Sequence, residues 1–148
     1  MTAIAGLASL EAELDRQRLL LNLPPKPWIP ATTGPNGEEV LDVLIVGAGL
    51  CGLAANAALA MEGITNVRLM DRAPEGREGP WITFARMDTL RTIKDAAGPA
   101  LGIPALTFRA WFEAQWGGAA WDEMTLAPRT MWMDYLLWYR RMTKPEVI

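Results

Sequence analysis

Gly47, Gly49 and Gly52 stand in the spacing G-x-G-x-x-G, and Asp71 follows nineteen residues after the last of them (71 − 52). Each residue type has a mechanical use at that spacing. Gly47 permits a tight turn out of a strand. Gly49 carries no side chain, so a pyrophosphate can approach the backbone. Gly52 permits close packing of a helix on that strand. Ala48, Leu50 and Cys51 fill the intervening positions. The N–H groups of Leu50 and Cys51 would face phosphate from the positive end of the helix. A carboxylate at Asp71 would accept the ribose hydroxyls of an adenosine half. The chemistry this pattern points to is dinucleotide binding. The acid argues against a 2′-phosphate at this site, and Arg72 beside it weakens that exclusion slightly. The alternative for the same residues is a glycine turn kept for packing alone.

What the chain lacks narrows the chemistry further. It has no histidine and one cysteine. That removes the commonest general base and the commonest metal ligand, and makes a zinc site untenable. Cys51 lies in the turn, but a redox disulfide needs a second thiol. It reads as a small residue tolerated beside phosphate.

The elements that must position these residues are legible on either side. Residues 40–46, VLDVLIV, form a short run rich in branched apolar side chains. Such a run predicts a strand buried on both faces. Residues 50–62 predict a helix. Leu50, Leu53, Ala54, Ala57, Ala58 and Met61 make one apolar face, and Gly63 ends it. Residues 66–71 predict a second, parallel strand. Before this unit, residues 6–22 predict a helix with Leu7, Leu10, Leu14 and Leu21 on one seam, broken by Gln17. It reads as an arm docking on the body, with a coiled coil to a partner as the sharper alternative. Pro24, Pro25 and Pro27 stop it, and residues 23–38 form a proline-rich linker. Beyond Asp71 the pattern changes. Residues 83–95 suggest an extended piece passing into a short helix. Thr107 caps a helix stopped at Gly117 and Gly118, and Pro128 opens a last helix through Met142. Five of the seven tryptophans fall in the final forty residues. Rings in that number require a large core.

The stretch from Asp42 to Trp81 resembles the N-terminal FAD-binding segment of flavin-containing, Baeyer–Villiger and N-hydroxylating monooxygenases. Their acid is followed by a glycine-glycine-x-tryptophan segment. Here Gly79, Pro80 and Trp81 follow Asp71, with Pro80 in place of the second glycine. The resemblance implies FAD as cofactor, with Gly79, Trp81 and the region from Arg86 to Leu90 approaching the flavin ring. Arg86 and Asp88 are the nearest charged side chains by position, and surface or structural charge is their plainer role. It also implies a monooxygenase of a small-molecule substrate in which NADPH reduces FAD. An NAD-binding dehydrogenase segment is the alternative for the cofactor. Against it, the β-α alternation does not continue.

The expected fold class is therefore α/β. A Rossmann-like βαβ unit with an incomplete sheet follows an N-terminal helical arm and precedes a helical, tryptophan-rich C-terminal part. The expected division is residues 1–38 as arm and linker and residues 39–148 as a partial FAD/NAD(P)-binding domain. Only two convincing parallel strands are visible, the tail MTKPEVI has no evident strand partner, and the NADPH motif is missing. This reads as a truncated piece, a split half, or a subunit completed by a second chain. A non-catalytic dinucleotide-binding or interaction subunit is the rival from another class. A net charge of −3 gives no footprint for nucleic acid. No apolar run spans a membrane, and a cytoplasmic setting is expected.

Overall fold

The computed structural model describes the backbone of residues 2–148 and the side chains of residues 6–148. Helix α1, Thr2–Leu20, opens the chain. It docks on the body as an arm. Leu14 is wholly buried in the main core, with Leu7 and Leu10 packed against that core. Gln17, the residue that interrupts the apolar seam, accepts a hydrogen bond from the Ala105 amide at 3.1 Å through Oε1. Glu11 ties the arm to the last helix, accepting from Trp138 Nε1 at 3.0 Å and from Arg141 Nη2 at 2.8 Å.

The linker folds into a small antiparallel ladder of β1, Thr32–Thr33, with β2, Glu39–Val40. The strand expected over 40–46 is therefore split. Val40 belongs to the ladder, and β3 spans Val43–Val46. Nor is β3 buried on both faces. Val43 and Ile45 face the core, whereas Leu44 and Val46 are 48% and 80% exposed. Every side chain of β3 is apolar, but one face only is covered.

Helix α2, Leu50–Met61, follows the glycine turn. Gly63, at φ +76°, ends it in the left-handed conformation that glycine adopts without strain. Asn56, a polar residue on its inner side, is buried. Strand β4, Val67–Met70, pairs in parallel with β3, Val43 opposite Val67 and Val46 opposite Met70. The tail after the last helix does find a strand partner. Val147 bridges Leu69 in parallel, with Leu69 N–H donating to Glu146 O at 2.9 Å and Ile148 N–H to Leu69 O at 2.8 Å.

Residues 71–103 contain no helix, contrary to the expected short one within 83–95. Turns run through 81–84, and the segment is stitched to residues 127–129 instead. Leu90 N–H donates to Ala127 O at 2.8 Å, and Arg129 N–H to Asp88 O at 3.0 Å. A 3₁₀ turn, Pro104–Leu106, leads to α3, Phe108–Glu123. Thr107 caps α3 as expected, its Oγ1 accepting from the Ala110 amide at 3.1 Å. The helical run does break at Gly117, as expected, where φ 83°, ψ 165° is not helical; a second helical piece then runs on to Glu123, so α3 is two helices across a kink. Helix α4, Arg129–Thr143, begins directly after Pro128.

The aromatic tail is core. Phe108 lies at its centre, with ring centroids 5.3 Å from Trp132, 5.4 Å from Tyr135 and 5.7 Å from Trp121, all edge-on. Such pairs contribute roughly 0.5–1.5 kcal/mol each beyond area burial. Burial raises the Tyr135 hydroxyl pKa, so it stays a donor, to Leu106 O at 2.7 Å.

Helices α1 and α3 touch through backbone. A Cβ on Gly6 would lie 1.7 Å from Ala114 O. Gly6→Val is expected to destabilise the chain by about 1–3 kcal/mol, the range for overpacking a filled contact. Gly118→Ala, where a Cβ meets nothing nearer than 4.0 Å, is the control and is expected to gain a few tenths of a kcal/mol or more. Urea denaturation of both variants measures the difference.

Candidate functional site

The site is built at the end of β3, where the chain turns into α2. Gly47 adopts φ +105° with open space where a Cβ would be, so its requirement is conformational. Its N–H donates to Met70 O at 2.7 Å, extending the ladder with β4 by one bond. Gly52 is required for a different reason. A Cβ there would stand 1.8 Å from Gly47 O and 3.5 Å from an Ile45 methyl. The first turn of α2 thus rests directly on the backbone of the turn before it. The amides of Leu50 and Cys51, first in the helix, have no intrahelical acceptor by geometry. Gly49 has ordinary room. A Cβ there would lie 3.7 Å from the backbone of Gly79.

Asp71 reaches back into this turn. Its Oδ2 accepts from the Ala48 amide and its Oδ1 from the Ala73 amide, each at 2.8 Å. These two bonds, Ala73 first, hold the carboxyl below its ordinary pKa, against a smaller opposing effect of burial. A carboxylate offers about four acceptor positions, so outward-facing capacity remains. Arg72 beside it is exposed, and so is Cys51, a free thiol.

Gly79, at φ +75°, brings its backbone against Gly49. Trp81 follows it, with ring atoms 3.8 Å from the Gly79 Cβ position. Its ring meets Trp132 edge-on at 6.3 Å. Leu50, Trp81 and Leu90 line one cavity together with Trp132. Arg86 and Asp88 are exposed and do not line it.

Three residues that position this loop were not legible in the sequence. Glu78 is 4% exposed and pairs with Arg140 of α4. Its second oxygen accepts from the Gly76 amide at 2.7 Å. Arg140 also reaches Glu75 at 3.4 Å and lines one small cavity with Ala48 and Gly49. Arg129 donates to Trp81 O, fastening the other end of the segment. Glu78 and Arg140 are 62 residues apart, and no local spacing announces the pair.

Residues 44–146 match a family model described as FAD-NAD(P)-binding. The chain belongs to that family. The reading of the chain as part of a dinucleotide-binding protein is borne out. The FAD-dependent urate hydroxylase of Xanthomonas campestris pv. campestris is 51% identical over 135 residues, covering 91% of this chain and 28% of its own length. The chain thus spans little more than a quarter of the curated relative it matches. No solved structure matches it. None of the described helices is long and apolar enough to cross a membrane.

Two outcomes test the site's construction. Glu78→Ala removes the buried partner of Arg140 and leaves it only the exposed Glu75, and is expected to cost about 1.5–3 kcal/mol by denaturant titration, the range for a charged hydrogen bond. Asp71→Asn is expected to lower stability at neutral pH. Because the folded-state pKa is lowered, the native carboxylate stabilises above its ordinary value of 3.8. That contribution fades as pH falls through the lowered folded value. Stability curves of the two proteins should therefore differ at pH 7 and converge in acid.

Proposed function

We propose that this chain seats FAD in a Rossmann-like unit and forms the FAD-binding part of an NADPH-dependent monooxygenase. The observation that carries the reading is the turn itself. Gly52 lies against Gly47 O where no Cβ fits, Gly49 presents bare backbone, and Asp71 is hydrogen-bonded into the same turn. The residues fit the cofactor. The amides of Gly49, Leu50 and Cys51 receive its pyrophosphate at the positive end of α2. The free acceptor positions of Asp71 take the adenosine ribose. Gly47, Ala48 and Gly52 shape the turn, with Arg72 beside Asp71 at its rim. Gly79 and Trp81 close the side toward the ring.

FAD, when bound, supplies the redox and oxygen chemistry. The protein's part is to hold, orient and shelter it. The likeness to a urate hydroxylase supports an oxidised purine as the substrate class of the whole enzyme. Residues 1–38 serve as arm and linker to residues 39–148. A second chain completing the sheet and a cytoplasmic setting belong to the same proposal.

The test is the visible spectrum of the purified chain after mixing with FAD and gel filtration. Co-eluting yellow protein is expected. Gly49→Ala should fold with unchanged thermal stability, since its Cβ meets only ordinary contacts. Yet it should lose at least about tenfold in FAD affinity, roughly 1.4 kcal/mol, because the methyl stands where phosphate approaches. Colourless protein that binds NAD instead would sink the FAD reading in favour of a dehydrogenase segment.

A further inference from the structure

At the opposite end of α2 from the glycine turn, the ends of α1 and α4 meet it and enclose a groove of about 280 Å³. Its floor is apolar, from Leu23, Pro24, Ala57, Ala60 and Met61. Ala57, Ala60 and Met61 stand at i, i+3 and i+4 and so share one face of α2. The alanines leave room that larger side chains would fill, and a methionine adapts to what lies against it. Two cations line the same groove, Arg18 and Lys144. Arg18 donates through Nη2 to Met142 O at 2.9 Å, a bond to the last turn of α4. Its Nη1 lies 3.8 Å from Asp15, beyond hydrogen-bond reach, and that side chain is 81% exposed. Burial holds the Arg18 pKa below its ordinary value. A guanidinium has five N–H donors, so this one is partly withdrawn from water with most of its donors unspent among the described residues. Lys144 sits at φ +48°, a left-handed position where glycine or asparagine is usual. Capping of α4 accounts for one nitrogen of Arg18. It accounts neither for the second cation nor for the apolar floor beside both.

We propose that this groove binds an aliphatic carboxylate of about six to eight carbons, its head on Arg18 and Lys144 and its tail along Ala60 and Met61. Size sets the length. A cavity of about 150 Å³ holds one benzene ring, so about 280 Å³ holds roughly ten to twelve non-hydrogen atoms. Charge sets the head. A planar guanidinium fork matches the two oxygens of a carboxylate. Thr143, at the same end, gives its hydroxyl proton to Tyr139 O at 2.9 Å. It therefore adds no donor for the third oxygen of a phosphate. The site is separate from the glycine turn and does not rest on the FAD reading.

The test uses the full chain with its methionine methyl groups labelled with carbon-13. Met61 and Met142 both line the groove, and Met61→Leu and Met142→Leu assign their signals. Octanoate is the probe, with hexanoate, acetate and octanol as controls. Octanoate is expected to shift both methyl signals saturably. Hexanoate, two methylenes shorter, should bind roughly tenfold more weakly. Acetate, which lacks the tail, and octanol, which lacks the charge, should each be weaker than octanoate by at least about tenfold. Arg18→Gln should weaken octanoate about tenfold and Lys144→Gln about threefold, each leaving octanol unchanged. The Lys144 side chain makes no bond to the end of α4 among the described residues, so Lys144→Gln decides the matter should Arg18→Gln loosen that helix. Three results would overturn the proposal: no saturable shift at either methyl, octanol binding as tightly as octanoate, or octanoate affinity unmoved by Lys144→Gln.

Discussion

The contact between Gly52 and the carbonyl of Gly47 is the constraint on which the rest depends. With 1.8 Å between that oxygen and the place a Cβ would occupy, α2 and the turn are joined backbone to backbone. A helix held that close starts with its free amides at the lip of the sheet. The same closeness fixes Ala48 within reach of Asp71, at the end of the neighbouring strand. One steric fact therefore sets the position of the positive helix end and of the acid together. A side chain at Gly52 would force apart the two halves of the site before it touched any ligand.

The turn alone does not make a pocket. Its outer wall is the irregular segment after Asp71, which has no ladder or helix of its own to hold it. That segment is fixed from α4 and from Ala127 just ahead of it. Arg140 takes Glu78, Arg129 takes Trp81 O, and Ala127 O takes the Leu90 amide. Helix α4 is in turn held by the aromatic cluster around Phe108 and by α1 through Glu11. The tryptophan-rich tail thus acts on the site at one remove. Its rings bury one face of α4, and α4 presents arginines to the loop that carries Gly79 and Trp81.

What the sequence discloses follows from the range of the forces involved. The glycine turn, α2, β4, the Thr107 cap and the start of α4 after Pro128 are all written in short-range terms, through φ preference, period and capping. They read correctly. The one-sided exposure of β3 did not, because an apolar strand cannot show which of its faces a sheet will leave uncovered. The break at Gly117 was legible, but the second helical piece beyond it was not, since it is held by Trp121 packing against Phe112 and Phe108. Glu78 and Arg140 were invisible for the plainest reason. Two charges in loops and helices read as solvated until a fold brings them together. The strand role of Glu146–Ile148 was missed likewise, since three residues carry no period.

The sheet has a covered face and an open one, and they are opposite by the two-residue period of a strand. Val43 and Ile45 look toward α2, and a Gly52 Cβ would sit 3.5 Å from Ile45. Leu44, Val46 and Met70 look the other way and are exposed. Parallel sheets are ordinarily covered on both faces, and a sheet of this few strands gains little stability alone. The glycine turn, Asp71 and the Gly79 loop all draw their contacts from the α2 side. Anything that covered the far face would therefore act on the stability of β3 and β4 as a unit. The internal geometry of the turn, set by backbone contact and two hydrogen bonds to one carboxylate, is determined without it.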